Sequence, residues 1–433
     1  MGTKLVVISM DAMITEDLQN AKQYPHFQRF LENAAVVTEV KSIYPTLTYP
    51  CHTTMLTGVY PDRHGVAENE QFLPGVLPLP WKFDHKCVCC PDLMDLCKAH
   101  GMTTACVGWP VTGNHPSVDY LIDEIWTTGR PWTKETMREE LLYAGTSEEL
   151  FETVVRPLQD LRVPRRQPAS SFFNIEAGCA ILRKYRPDVL FIHTGNMDHY
   201  RHEKGVFSEN TVAAAAENDE MLGKILDTLE ENGDAEACNV VITSDHGQMD
   251  CTRSVNPNVL FVKHGLITLA EDGCVQDWRA WCLSAGMSAH IYLKDPSDGT
   301  LRAEVYTLLK QLCEEGVWGF SEVLTEEETA ERDRLGGAFS FVLETDNYTS
   351  FTNAWTGPYV VPASLTKVSN RKGNHGFHPD KGTRPVFLGK GPAFRRGLYP
   401  DKVNLVDEAP TLAAVLGLSM PDTDGRVLTE LLQ

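Results

Sequence analysis

Short apolar runs that stop at an acid or a histidine constrain this chain more than any other feature. Leu5-Val6-Val7-Ile8-Ser9-Met10 ends at Asp11, Asp188-Val189-Leu190-Phe191-Ile192-His193 is soon followed by Asp198, and the run over residues 239–244 leads straight into Asp245-His246. Runs of this length, apolar without alternation, are how strands covered on both faces read. Helical patterns fall between them, over residues 26–35, 91–100, 133–161, 172–185 and 210–231, with a further strand at 103–107. Strands alternating with helices predict an α/β fold built on a mostly parallel sheet with helices on both faces. In such sheets ligands bind at the carboxyl ends of the strands, where these acids and histidines stand.

The rhythm changes after residue 252. Strand-like pieces at 259–263 and 288–293, a helix at 301–314, a strand at 339–344 and a loop-rich stretch at 345–374 precede a return of the core pattern at 385–389 and a closing helix at 410–416. At 433 residues the chain is long for one compact unit. The expected organisation is a catalytic core of residues 1–253 and 371–433, interrupted by a smaller cap insertion at 254–370.

Charge narrows the function. A formal net charge of −20 argues against a basic face for nucleic-acid polymers or anionic membranes. It leaves small phosphate substrates open, because bound divalent cations make a pocket positive whatever the global sign. No run is long and apolar enough to span a bilayer. Met1-Gly2-Thr3-Lys4 enters the first apolar run without a signal-peptide cleavage region. Twelve cysteines are too sparse for a disulfide scaffold, and Cys87, Cys89, Cys90 and Cys97 do not fit paired CxxC knuckles. Free thiols and a cytoplasmic location are the expectation.

One stretch ties these features together. Ser42-Ile43-Tyr44-Pro45-Thr46-Leu47-Thr48-Tyr49-Pro50-Cys51-His52 leads into a helix that Gly58 is placed to end, followed by Val59-Tyr60-Pro61-Asp62-Arg63-His64-Gly65. Thr48 falls at the helix start, where N–H groups and the helix dipole favour an anion. A helix cap is the plainer role for such a threonine. Asp198 and His202 share a helix face if their segment is helical, and His375 sits in the glycine-flanked loop Gly373-Asn374-His375-Gly376. Mixed carboxylate and imidazole sets of this kind suit zinc or manganese. Taken singly, each of these residues also fits a cap, a turn or a surface position.

The stretch from Tyr44 to Gly65, with Asp11, Asp198…His202, Ser244-Asp245-His246-Gly247, Asn374-His375-Gly376 and the strand Pro385-Val386-Phe387-Leu388-Gly389, resembles the nucleotide pyrophosphatase/phosphodiesterase family of the alkaline phosphatase superfamily. The resemblance covers nearly the whole chain in ordered blocks. It implies an alkaline-phosphatase-like core holding two zinc ions, with manganese or another divalent ion as a substitute. One ion would be held by Asp11, Asp245, His246 and the Thr48 oxygen, the other by Asp198, His202 and His375. It further implies that Thr48 is the nucleophile, passing through a phospho-threonine, and that Asn69 donates to a phosphate oxygen. Tyr49 would stack on the leaving group of a small phosphate ester, foremost a nucleotide. Trp109-Pro110 resembles a block that supports the pocket, and Tyr348, Phe351, Trp355 and Tyr359 are candidates for its cap side.

Cys51 stands where the family commonly has Asn, and without the Pro and Arg spacing of sulfatases it reads as a packing residue. The other substrates open to this metal core are choline or lipid-headgroup diesters, phosphonates and phosphomonoesters. A different class altogether would be a catalytically silent metal- or nucleotide-binding protein.

Overall fold

The computed structural model describes residues 4–125, 130–162, 166–365 and 372–433. The boundary expected at 370/371 lies outside the described residues. Among the described residues, eight strands form the main sheet. Across it they run in the order Gly397–Tyr399, Ala35–Val37, Phe387–Lys390, Cys238–Thr243, Lys4–Met10, Val189–Thr194, Thr104–Val107 and Tyr120–Ile122. Lys4–Met10 lies parallel to both of its neighbours, and Phe387–Lys390 runs antiparallel to both of its own. The sheet is therefore mixed and mostly parallel, an alkaline-phosphatase-like α/β arrangement.

Each strand explains its own apolar run. Side chains alternate across a strand, so Val6, Ile8 and Met10 enter one core while Leu5 and Val7 enter the other. Helices Ala169–Lys184 and Glu209–Glu231 cover the first face. Helices Thr48–Thr57, Leu93–Ala99 and Glu408–Val415 cover the second. With both faces buried the strands are mostly apolar, and the polar residues gather toward their carboxyl ends, as Ser9, His193 and Thr243 do.

Two expectations fail locally. The helix expected over 133–161 is broken, since Gly145 takes φ +100° after the helix Lys134–Tyr143 and the chain restarts at Glu148–Leu150. Residues 259–263 are not a strand but the end of the helix Pro257–Lys263, opened by Pro257 at its first position. A five-residue apolar run does not by itself separate a buried strand from a helix.

The stretch between the core segments carries its own four-stranded antiparallel sheet, Ala280–Ser284, Ser288–Leu293, Phe341–Thr345 and Phe320–Thr325 in that order. A separate apolar cluster that includes Trp281, Ile291, Val305 and Phe341 lies beneath it. The hairpin at 284–288 reaches back to the core, where the Met287 N–H donates to the His375 carbonyl at 2.8 Å.

Candidate active site

Helix Thr48–Thr57 begins immediately after Leu47, an extended residue with no capping side chain, and ends at Gly58 in the left-handed region. Its first turn is short of free donors. The Tyr49 N–H donates to Asn69 Oδ1 at 2.9 Å, Pro50 has none, and the Cys51 N–H goes to the Leu47 carbonyl. Of the first-turn N–H groups, that of Thr48 has no acceptor among the described residues. The bond from Tyr49 also fixes Asn69, committing its oxygen to the helix and leaving Nδ2 as the end able to serve a ligand.

The residues expected at strand ends converge on Thr48. Its Oγ1 lies 3.2 Å from His246 Nε2, which in turn lies 3.2 Å from Asp245 Oδ2 and 3.5 Å from Asp11 Oδ1. Asp11, Asp198 and His246 offer ligand atoms within 4.8 Å of one another, and so do Asp198, His202 and His375. Asp198 thus belongs geometrically to both groups. Asp245 is held through Oδ1, which accepts from the Ala12 N–H at 3.2 Å.

The electrostatics of the cluster ask for cations. Burial, reinforced by Asp198, pushes the Asp11 carboxyl well above the usual range, and burial with Asp11 does the same to Asp245. Burial also opposes the charge on Asp198, yet His202, His375 and His246 hold it below the ordinary value. His246 stays well below the imidazole range because it is buried and stacks at 3.8 Å on His375, so its ring is neutral.

The donor set fits metal ions on further observations. Asp11 Oδ1, Asp245 Oδ2 and His246 Nδ1 are buried without a hydrogen-bond partner among the described residues. His202 Nδ1 donates to the Gly373 carbonyl at 2.8 Å, and His375 Nδ1 donates to the Thr46 carbonyl at 3.0 Å. Both rings therefore present Nε2 toward Asp198, at 3.2 and 3.6 Å. Backbone anchoring of one imidazole nitrogen so that the other faces an ion is the usual support for a ligating histidine.

A second layer behind these residues was not anticipated. His52 Nδ1 donates to the Thr48 carbonyl at 2.8 Å, one turn along the helix, and its Nε2 meets Ser9 Oγ at 2.8 Å. His193 Nε2 lies 3.1 Å from Asp11 Oδ2, and its Nδ1 donates to the Gly108 carbonyl. The strand-end rule that picked out Asp11 applies equally to His193; spacing of four from Thr48 marks His52. Arg162, buried and bonded to the Asp123 and Ile125 carbonyls, carries no sequence signal of this kind. Beside it, burial raises Glu124 to about 7 against the pull of His193.

A cavity of about 1150 Å³ opens over the cluster, with Thr48, Asn69 and His375 in its wall. Tyr49 does not reach it. Only 1 % exposed, its ring packs with Val66 and Val111 and meets the Trp81 ring edge-on at 5.1 Å. Consecutive helical residues point about 100° apart, so Tyr49 cannot share the face of Thr48. Trp81 lines the cavity instead. Of the four insertion aromatics, Phe351 does line it. Tyr348 is 61 % exposed to solvent, Trp355 packs on Trp281, and Tyr359 donates to the Trp318 carbonyl. Trp109 is buried, edge-on to His52, and Cys51 is a fully buried packing residue, its thiol raised by burial.

A further acid and imidazole group, His85, Asp92, Asp95 and His115, lies outside this cavity. It is internally satisfied: His115 Nε2 donates to Asp92 while Nδ1 accepts the Ser117 N–H, and Asp92 with Asp95 caps a helix.

Sheet order and site together define an alkaline-phosphatase-like α/β hydrolase. Within that class, the sequence profile of the type I phosphodiesterase/nucleotide pyrophosphatase family matches residues 5–378, and the chain belongs to that family. It is 23 % identical over 444 residues to the human bis(5'-adenosyl)-triphosphatase ENPP4, covering 98 % of this chain and 80 % of that one. Similarity to human ectonucleotide pyrophosphatase/phosphodiesterase family member 1 is 23 % over 226 residues, 51 % of this chain and 21 % of the relative. The solved structure of murine ectonucleotide pyrophosphatase/phosphodiesterase 5 superposes with a TM-score of 0.68 at 20 % identity, covering 99 % of this chain and 100 % of that one. An inactive form of that murine protein, solved in complex with AMP, also gives 0.68 at 20 % identity, over 100 % of both chains.

Proposed function

We propose that this chain hydrolyses phosphodiester or phosphoanhydride bonds of nucleotides, with Thr48 as nucleophile and two zinc ions as cofactors. The observation that carries this is the Thr48 hydroxyl, set at a helix start 3.2 Å from His246 Nε2 and surrounded by buried carboxylates short of donors. Asp11, Asp245, His246 and Thr48 would hold one ion, and Asp198, His202 and His375 the other. Bound there, the ions would supply Lewis-acid polarisation of the phosphoryl oxygens and stabilise charge developing on the attacking and leaving oxygens.

The chain's own residues account for the rest. Thr48 Oγ1, its proton passed to solvent water, attacks phosphorus in line as the bond to the leaving oxygen breaks, giving a phospho-threonine and a leaving group that takes a proton from water. The Thr48 N–H and Asn69 Nδ2 are the neutral donors placed to steady the phosphoryl oxygens. Water then cleaves the ester and restores the hydroxyl. Among nucleotides, the cavity volume, above the usual range of about 300–1,000 Å³ for small-molecule sites, favours a substrate with two nucleoside arms. A bis(5'-adenosyl) triphosphate, the substrate in the name of the ENPP4 relatives, is of that kind. The insertion at 254–370 acts as a cap over the site, and the free thiols support a cytoplasmic location.

Thr48→Ala tests the nucleophile, since it removes the hydroxyl and one methyl group at the wall of the cavity. Activity on bis(p-nitrophenyl) phosphate should fall by several orders of magnitude while the circular dichroism spectrum is unchanged. Retention of more than about a tenth of activity would remove Thr48 from the mechanism. Ranking kcat/KM for bis(5'-adenosyl) triphosphate, a phosphocholine diester, a phosphonate ester and a monoester decides the substrate. A wild-type protein inert toward all of them is a binding protein.

A further inference from the structure

The wall beside Thr48 is built from two short paired segments. The Gln71 N–H donates to the Pro80 carbonyl and the Lys82 N–H to the Asn69 carbonyl, both at 2.8 Å, and Glu70 pairs with Trp81 in an antiparallel bridge. Asn69 and Trp81 therefore sit on one strip, and both face the cavity.

Two ties make that strip rigid. Glu68 accepts from Lys82 Nζ at 2.6 Å, His290 Nδ1 at 2.8 Å and the Tyr292 hydroxyl at 2.5 Å, which fastens the strip to the insertion sheet. Tyr49 braces the Trp81 ring edge-on from behind, with the two ring planes 72° apart. An indole that only filled the core would be buried, as Trp109 is; Trp81 is half-buried and part of the cavity lining.

Resting on the nucleotide reading above, we propose that Trp81 is the aromatic platform on which the nucleoside of the substrate lies, with Tyr49 as its brace. The phosphate donor Asn69 and the platform share a strip, so phosphate and base are placed by one element. Stacking on an aromatic face is available to every base, so the platform selects for a flat heteroaromatic arm over a small alkyl arm while discriminating little among bases.

The test uses two chromogenic esters with the same leaving group, the p-nitrophenyl ester of 5'-AMP and methyl p-nitrophenyl phosphate. Wild-type protein should prefer the nucleoside ester. Trp81→Leu should lower kcat/KM for that ester roughly ten- to a hundred-fold and change the methyl ester by less than about threefold; Trp81→Phe should restore most of the loss. Calorimetry should show AMP binding weakened by a similar factor in Trp81→Leu. Equal losses on both esters would make Trp81 a structural support and overturn the platform. A nucleoside preference that survives in Trp81→Leu would overturn it too, leaving the nucleotide reading intact. A wild-type protein without a nucleoside preference would overturn both.

Discussion

Glu68 shows how one buried charge is kept and what it costs in acid. Burial works against its ionised form, but Lys82, followed by His290, more than offsets this and holds the carboxyl well below the usual carboxylate range. A group depressed in the folded state contributes stability above its unfolded value, near pH 4.3, and loses it as the pH falls further toward the folded value. Wild-type protein should therefore lose melting temperature below about pH 4.3. Glu68→Gln, which leaves Lys82 with a neutral partner, should be less stable at pH 7 and show a shallower acid limb. Calorimetric scans at several pH values read this directly; parallel limbs for the two proteins would assign the acid loss to other carboxylates. At this scale the sequence marked chemistry better than contact. Asp11 stands out because it ends an apolar run, Thr48 because it falls at a helix start, and His375 because it sits in a glycine-flanked loop. Tyr49 lies off the cavity because adjacency in sequence is not adjacency on a helix, and nothing in the neighbours of a loop residue such as Trp81 reveals which cavity it borders.

Among the elements, the loop carrying His375 is held from two sides. Thr46 receives His375 Nδ1–H and the Gly376 N–H on its carbonyl, tying the loop to the segment that carries Thr48. The hairpin at 284–288 closes on it from the insertion. Gly376 has φ +94°, and a Cβ there would fall on the Ala285 carbonyl oxygen. Gly376→Ala should thus be strained in its backbone and clash with rigid main chain, costing more than about 1 kcal/mol and drawing His375 away from Asp198. Lower melting temperature together with weaker metal retention is the expected pair of results. Gly299→Ala, at a helix start with nothing within 4 Å of the added carbon, is the control and should be neutral. Strands were the legible elements, because burial on both faces leaves a continuous apolar run. The helix Pro257–Lys263 was not legible, because a short apolar run is compatible with either period, and the bend at Gly145 was not, because a single glycine is tolerated inside a helical pattern.

For the molecule as a whole, metal content is the decisive measurement. Elemental analysis should find two divalent ions per chain, and exhaustive chelation should abolish turnover. An ion held at a hundred times its dissociation constant adds about 2.7 kcal/mol, so chelation should also lower the melting temperature by a few degrees. Full activity after chelation, or an unmoved transition, would contradict the two-ion site. Among the described residues no helix is long and apolar enough to cross a membrane. All twelve cysteines are free and should react with a thiol reagent once the protein is denatured. A mostly parallel core sheet was legible at this scale, since strands alternate with helices; the strand order and the fit of insertion against core were not, since contacts such as Glu68 with His290 join positions 222 residues apart.

That the His375 ring is anchored on Thr46, 329 positions earlier in the chain, bears on how the protein is made. During synthesis Asp11 and Thr48 leave the ribosome early and wait, through the whole insertion, for the histidine that completes the second ligand group. A chain arrested just before that loop would carry Thr48 and every proposed ligand except His375, so on the two-ion reading its second site stays incomplete until residue 375 has been made.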